Sequence, residues 1–279
     1  MRVCIRLAML LLTLAGTIAE AAPVRIVSLA PNLTELAFSA GAGERIVGTV
    51  EYSDYPEAAR SIMRIGDAFR IDYEQLVALR PDVVLAWEPG TPSAVIDRVR
   101  SLHINVVVIR TYNLAEIGAG VREIGRIAHS ESLAMAAATA FETDIAMLRQ
   151  QFSARPAVDV FLQINDRPLY TVNGKQVMSE VLALCGGRNV FGSLSDLAPQ
   201  VGVEAVIAAN PGAIVSTGDS GPAALDQWRK WPQLRAVAAG NLFSLPADDL
   251  SRPTLRLAQG ARAMCRTLET ARDRLQSEK

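Results

Sequence analysis

The 279-residue chain is 50% hydrophobic and 20% charged, a composition with enough apolar material for roughly two packed domains of about 100–200 residues each. Its 28 Lys and Arg against 29 Asp and Glu lack the basic excess that a sequence-independent nucleic-acid binder needs. With His103, His129 and three cysteines as the whole supply of soft or imidazole ligands, a zinc, iron–sulfur or c-type haem site has almost nothing to be built from.

Residues 1–22 carry Arg2 and Arg6, then an apolar run from Leu7 to Ile18, then the small residues Ala19, Ala21 and Ala22. About a dozen apolar residues are too few to span a bilayer, so the segment reads as a secretory signal peptide cleaved near residue 22. Cys4 lies in its charged part, away from the cleavage site. The expected mature protein, from about Pro23, is exported.

From there apolar β-type runs alternate with helical patterns. Val24–Leu29 reads as a strand, and Asn32-Leu-Thr-Glu35 as a capping box opening a helix that ends near Gly41. Asp82–Trp87 and Ile104–Ile109 are further strands, and the alternation predicts βαβ units in a mostly parallel sheet. The pattern then repeats. Glu74 to Leu85 (EQLVALRPDVVL) matches Glu204 to Val215 (EAVIAANPGAIV), each with a glutamate opening a helix, a proline ending it and an apolar strand after it. Gly41–Gly48 is echoed by Gly186–Gly192, and Leu102–Ile109 more loosely by Val237–Leu245. The expected architecture is α/β: two Rossmann-like lobes, residues 23–128 and 155–279, with a cleft between them.

Residues 129–154 join the lobes. Over 130–153 there is no Gly or Pro, and Leu133, Ala137, Phe141, Ile145, Leu148 and Phe152 recur at steps of three to four. One helix about 30 Å long is predicted, a stiff connection that permits little hinge closure. Pro156 marks entry to the second lobe.

Catalytic hardware is missing. There is no G-x-S-x-G elbow, His103 and His129 stand apart as surface residues, and Gly118-Ala-Gly120 lies inside a helical pattern. No catalytic or metal site is expected. Binding is better supplied, because in parallel α/β lobes ligands sit beyond the carboxyl ends of the strands. Loops there carry Tyr52, Phe69, Trp87 and Tyr170 in a chain only 5% aromatic, which suggests a flat apolar ligand. Asp248 and Arg252 add polar groups for its rim, while Trp228 and Trp231 read as packing residues. Glu74 and Glu204 each gain roughly 0.3–1 kcal/mol from a helix dipole, and as matched acidic knobs they suit a two-fold partner with basic sockets. Cys185 and Cys265 are the two cysteines left after export, either a bridge or two separate buried thiols.

The stretches SLAPNLTELAFSAG, YSDYP, EQLVALRPDVVLAW, VFLQ, LCGGRNVF and PQVGVEAVIAANP resemble those of the exported substrate-binding proteins of ABC importers whose lobes are joined by one rigid helix, and most closely their cobalamin-binding branch. The resemblance covers about Arg25 to Leu268. It implies a cleft that carries cobalamin as transported ligand, not as cofactor, with Pro31, Tyr52, Trp87, Tyr170, Asp248 and Arg252 at the corrinoid, Tyr170 standing where a relative has phenylalanine. It implies that Glu74 and Glu204 dock on arginines of the two permease subunits, that Cys185 and Cys265 are bridged, and that the protein is a monomer. Ala68 and Ala198 depart from it, since a relative has tryptophan at both positions, with Phe69 beside the first. A haem or ferric-siderophore carrier on the same scaffold is the alternative.

Overall fold

The computed structural model describes residues 23–277 apart from Ala68 and Asp219; the expected signal peptide and Ala68 lie outside the described residues. The first lobe runs β1 (Ile26–Ser28), α1 (Pro31–Ser39), β2 (Ile46–Gly48), α2 (Tyr73–Ala78), β3 (Val83–Glu88), α3 (Ser93–Ser101), β4 (Val106–Arg110) and α4 (Leu114–Ala128). Helix α5 (Glu131–Phe152) connects it to the second. That lobe begins with β5 (Val158–Gln163), the hairpin β6–β7 (Asn165–Asp166, Leu169–Tyr170), α6 (Val177–Leu184) and β8 (Gly187–Asn189). It continues with α7 (Val203–Ala209), β9 (Ala213–Ser216), α8 (Arg235–Ala238), β10 (Leu242–Ser244), α9 (Asp248–Ser251) and α10 (Leu257–Ser277).

The duplication is present in the topology. The sheets run β2-β1-β3-β4 and β8-β5-β9-β10, every pairing parallel. Strand alternation divides each sheet between two cores. Ile26, Val83 and Leu85 face a core that continues through α5 into Val158, Val160, Leu162 and Val215. Val27, Val84 and Ala86 face the other side of the first sheet, and Phe161 and Ile214 the other side of the second. There Trp228 is fully buried, edge-on to Phe161 and donating its indole N–H to Gln163 at 2.7 Å, which makes it the packing residue expected.

The matched helices also end alike. Arg80 and Asn210 take left-handed φ of 47° and 42° just before Pro81 and Pro211. A proline disfavours the α conformation in the residue before it, so the chain turns out of the helix. Asp72 caps α2 by accepting from the Gln75 amide at 2.9 Å.

Three local expectations need correction. Asn32 and Glu35 form no capping box: α1 starts at Pro31, its cap position is Ala30 without a side-chain bond, and both Asn32 and Glu35 are buried. The connecting helix is continuous over 22 residues, but in its first turns Ala134 and Ala138 face inward while Leu133 is exposed. The reason is a close crossing with α4, where a methyl group on Gly125 would lie 2.2 Å from the Ala134 Cβ, so no larger inward residue fits. His129 sits between α4 and α5 with φ 55°, not in the connecting helix. At the far end, the Cys185–Cys265 disulfide ties the end of α6 to α10.

Candidate functional site

Between the lobes lies an apolar cavity of about 360 Å³. Its first wall comes from the carboxyl ends of β3 and β4: Trp87, Pro89, Thr111 and Tyr112. Its second comes from the loop after β5 and the start of α6, with Ile164, Val172, Lys175 and Met178, and is completed by Leu197 and Ala198. Ser251 and Pro253 close one edge. The cavity therefore sits at the position that parallel α/β topology assigns to ligands.

The first wall is held rigidly. The Trp87 indole donates to Thr111 Oγ1 at 2.7 Å, and its backbone amide donates to Thr91 Oγ1 at 2.9 Å. Gly90 lets the loop fold over the ring, since a methyl there would lie 2.0 Å from Trp87 Cε3. The Tyr112 hydroxyl donates to Glu88 Oε1 at 3.1 Å, and Glu88 Oε2 accepts from Arg110 at 3.0 Å. Burial, with that bond to Glu88, raises the Tyr112 phenol above its ordinary value, so it is a neutral hydroxyl. The second wall is aliphatic, and Lys175 is the one charged residue among the described lining. No carboxylate among the described residues pairs with it.

Of the residues singled out from the sequence, Trp87 lines the cavity, and so does Ala198. Arg252 lies between the lining residues Ser251 and Pro253, its Nη1 donating to Glu35 at 3.0 Å and Asp54 at 2.9 Å and its Nε 3.2 Å from Asp248. Asp248 opens α9, Pro31 opens α1, and Tyr170 is half-buried in β7. Tyr52 and Phe69 are 77% and 75% exposed. Tyr112, Lys175, Met178 and Leu197 are cavity residues that sequence reasoning missed.

Glu74 and Glu204 are both exposed, each the second residue of its helix. A helix between parallel strands runs back against them, so its N-terminus lies at the strands' carboxyl ends. Both glutamates thus stand on the cleft side of their lobes.

Two parallel-sheet lobes, one connecting helix and an apolar interlobe cavity define a two-lobed binding protein. The family model described as periplasmic binding protein matches residues 26–248, and the chain belongs to that family. It is 31% identical to a vitamin B12-binding protein of Vibrio campbellii over 90% of this chain and 91% of the relative. It is 32% identical to one of Vibrio cholerae over 88% and 90%. The crystal structure of the Vibrio cholerae periplasmic vitamin B12 binding protein BtuF superposes with a TM-score of 0.84, at 32% identity and covering 90% of this chain and 98% of that one. The periplasmic haem-binding protein HutB of Vibrio cholerae, 21% identical with a TM-score of 0.75 over 88% of this chain and 98% of its own, shares the fold.

Proposed function

We infer that this chain is a periplasmic carrier that captures cobalamin between its lobes and hands it to the permease dimer of an inner-membrane ABC importer. The observation that carries the ligand is the 31–32% identity to relatives named for vitamin B12 over about nine-tenths of the chain. The cavity agrees with it. Apolar walls with an aromatic ring suit the faces of a corrin, and a few polar groups among the lining suit its amide rim. In this reading Trp87 meets the macrocycle together with Pro31 at the start of α1, Tyr52, and Tyr170 of β7, and Asp248 and Arg252 meet the rim.

Lys175 sharpens the reading. Cobalamin carries one anionic group on its periphery, the phosphodiester of its nucleotide loop, and the described cavity wall offers one cation. Cobinamide lacks that group, and haem brings two propionates. Haem carriers also need an iron ligand: the Tyr112 hydroxyl is engaged by Glu88 and both histidines lie on the surface outside the cavity, which leaves Tyr52 or Tyr170 to serve in the haem alternative. Residues 1–22 direct export and are removed near residue 22; the mature monomer docks through Glu74 and Glu204, one on each permease subunit. Its work is capture, docking and release, with no covalent step.

Titration calorimetry of residues 23–279 tests this with cyanocobalamin, dicyanocobinamide and haemin. One-to-one cyanocobalamin binding at sub-micromolar affinity, tighter than cobinamide, is expected. Binding of haemin with none of either corrinoid would overturn the ligand and leave the fold standing.

A further inference from the structure

Helix α1 turns Leu33, Leu36 and Ala37 into the core, and a glutamate among them is costly to bury unless it is paired. The Glu35 side chain is only 2% exposed, and both its oxygens are taken by arginines of the other lobe. Oε1 accepts from Arg252 Nη1 at 3.0 Å and from Arg256 Nη2 at 2.8 Å, and Oε2 accepts from Arg256 Nε at 3.0 Å. These partners are 217 and 221 residues away in sequence, so no local preference of α1 accounts for the contact.

The YSDYP segment joins the same cluster. Asp54 accepts from Arg252 at 2.9 Å, and the Arg256 guanidinium carbon lies 4.3 Å from the centre of the Tyr55 ring, cation–π distance. A buried run of hydroxyls holds the start of this segment: Thr34 bonds Ser28 at 3.0 Å and Thr49 at 2.7 Å, and Thr49 bonds Ser53 at 2.8 Å. On the second lobe, Asp248 and Asp249 lie 3.2 Å from Arg252 and 3.6 Å from Arg256. Asp144 and Arg262, paired with each other, line the same small pocket as Glu35 and Arg256, and among the described residues the hydrogen bonds of Arg252 to protein are made by Nη1, leaving Nη2 without one. Ser251 and Pro253, on either side of Arg252, are cavity wall.

We propose that Glu35 is a positioning residue for ligand capture: it draws Arg252 and Arg256 across the gap between lobes, sets the width of the cavity, and leaves Arg252 Nη2 free for the ligand without touching the ligand itself. The proposal rests on the corrinoid reading only in the choice of probe. Because the cluster holds the closed arrangement, losing it speeds escape more than it slows entry, as with other buried charge pairs.

Stopped-flow kinetics on residues 23–279 test this, using whichever of cyanocobalamin and haemin the unmodified chain binds, so that failure of the corrinoid reading is seen separately. Glu35→Gln is expected to raise the dissociation rate about tenfold and to leave the association rate within about threefold. In an Arg252→Met background the same substitution is expected to add less than about twofold, since coupled residues are not additive. A dissociation rate within twofold of the unmodified chain, with only the unfolding midpoint lowered, would make Glu35 purely structural and overturn the proposal. Full additivity with Arg252→Met would overturn it too. Should Glu35→Gln fail to fold, the half-exposed Asp54→Asn serves instead, with about a threefold faster dissociation expected and no change contradicting it.

Discussion

The two lobes share one sheet order, one exposed glutamate opening an equivalent helix and one left-handed residue before an equivalent proline, yet they present unlike walls to the cleft. The first offers aromatic rings locked by hydrogen bonds, Trp87 to Thr111 and Tyr112 to Glu88. The second offers aliphatic side chains and one lysine, and alone carries the disulfide. Symmetry survives where a two-fold partner would read it and is lost where a single asymmetric ligand would sit. In the proposed reading the two tasks are separated on a duplicated scaffold: the matched helix ends would serve docking, and the loops beyond the strands would have diverged to fit the ligand.

The comparison breaks most completely if the symmetric pair is reversed. Glu74→Arg with Glu204→Arg is expected to abolish cobalamin uptake by cells while the calorimetric affinity stays within about twofold, because exposed charges outside the cavity lining act on docking and not on burial. A parallel loss of affinity would refute the docking role.

Next in size is the asymmetric disulfide. Replacing Cys185 and Cys265 by serine opens a closure spanning 80 residues and should cost about 4–5 kcal/mol in the chain-entropy account, read from urea denaturation. Because both cysteines lie in the second lobe, hydrogen exchange should rise there first.

The walls themselves come third. Trp87→Ala is expected to weaken cyanocobalamin binding by about 2–3 kcal/mol, the cost of losing an aromatic anchor. Ala198→Trp, which adds a ring to the aliphatic wall, should tighten it by about 0.5–1.5 kcal/mol. Equal and opposite effects would mean that the walls are interchangeable.

A smaller effect concerns acid. Burial works to raise the Asp54 carboxyl, but the hydrogen bond and charge of Arg252 outweigh it and hold the group below its ordinary value of 3.8. A lowered folded-state value means that its stabilisation is complete above 3.8 and is lost as pH falls through the lower value. The unmodified chain should therefore melt higher than Asp54→Asn at neutral pH, with the gap closing below pH 3.8. Smallest is Lys175→Met, expected to weaken cyanocobalamin about two- to fivefold, as for an exposed ion pair, and to leave cobinamide unchanged.

Much of the scaffold was legible because it is written in local patterns. Val-Val-Leu-Ala before Trp87 and Ala-Ile-Val before Ser216 announce buried strands, and the helix–proline pairs announce the repeat. Trp87 was legible for the same reason, as a large aromatic at a strand's end. Tyr112, Lys175 and Leu197 carry no such signature; only the packing of one lobe against the other brings them together. Glu35 was misread because Asn-x-x-Glu is a local capping pattern, while its true partners lie more than 200 residues away. Leu133 was misread because periodicity alone does not reveal how close α4 passes at Gly125.

A crystal structure of residues 23–279 with cyanocobalamin would test the central claim directly. The corrin is predicted to lie between the lobes with one edge against Trp87 and the phosphodiester within ion-pair distance of Lys175, the Glu35–Arg252 contact intact. A corrinoid bound elsewhere on the surface, or an empty cleft at saturating ligand, would contradict the account.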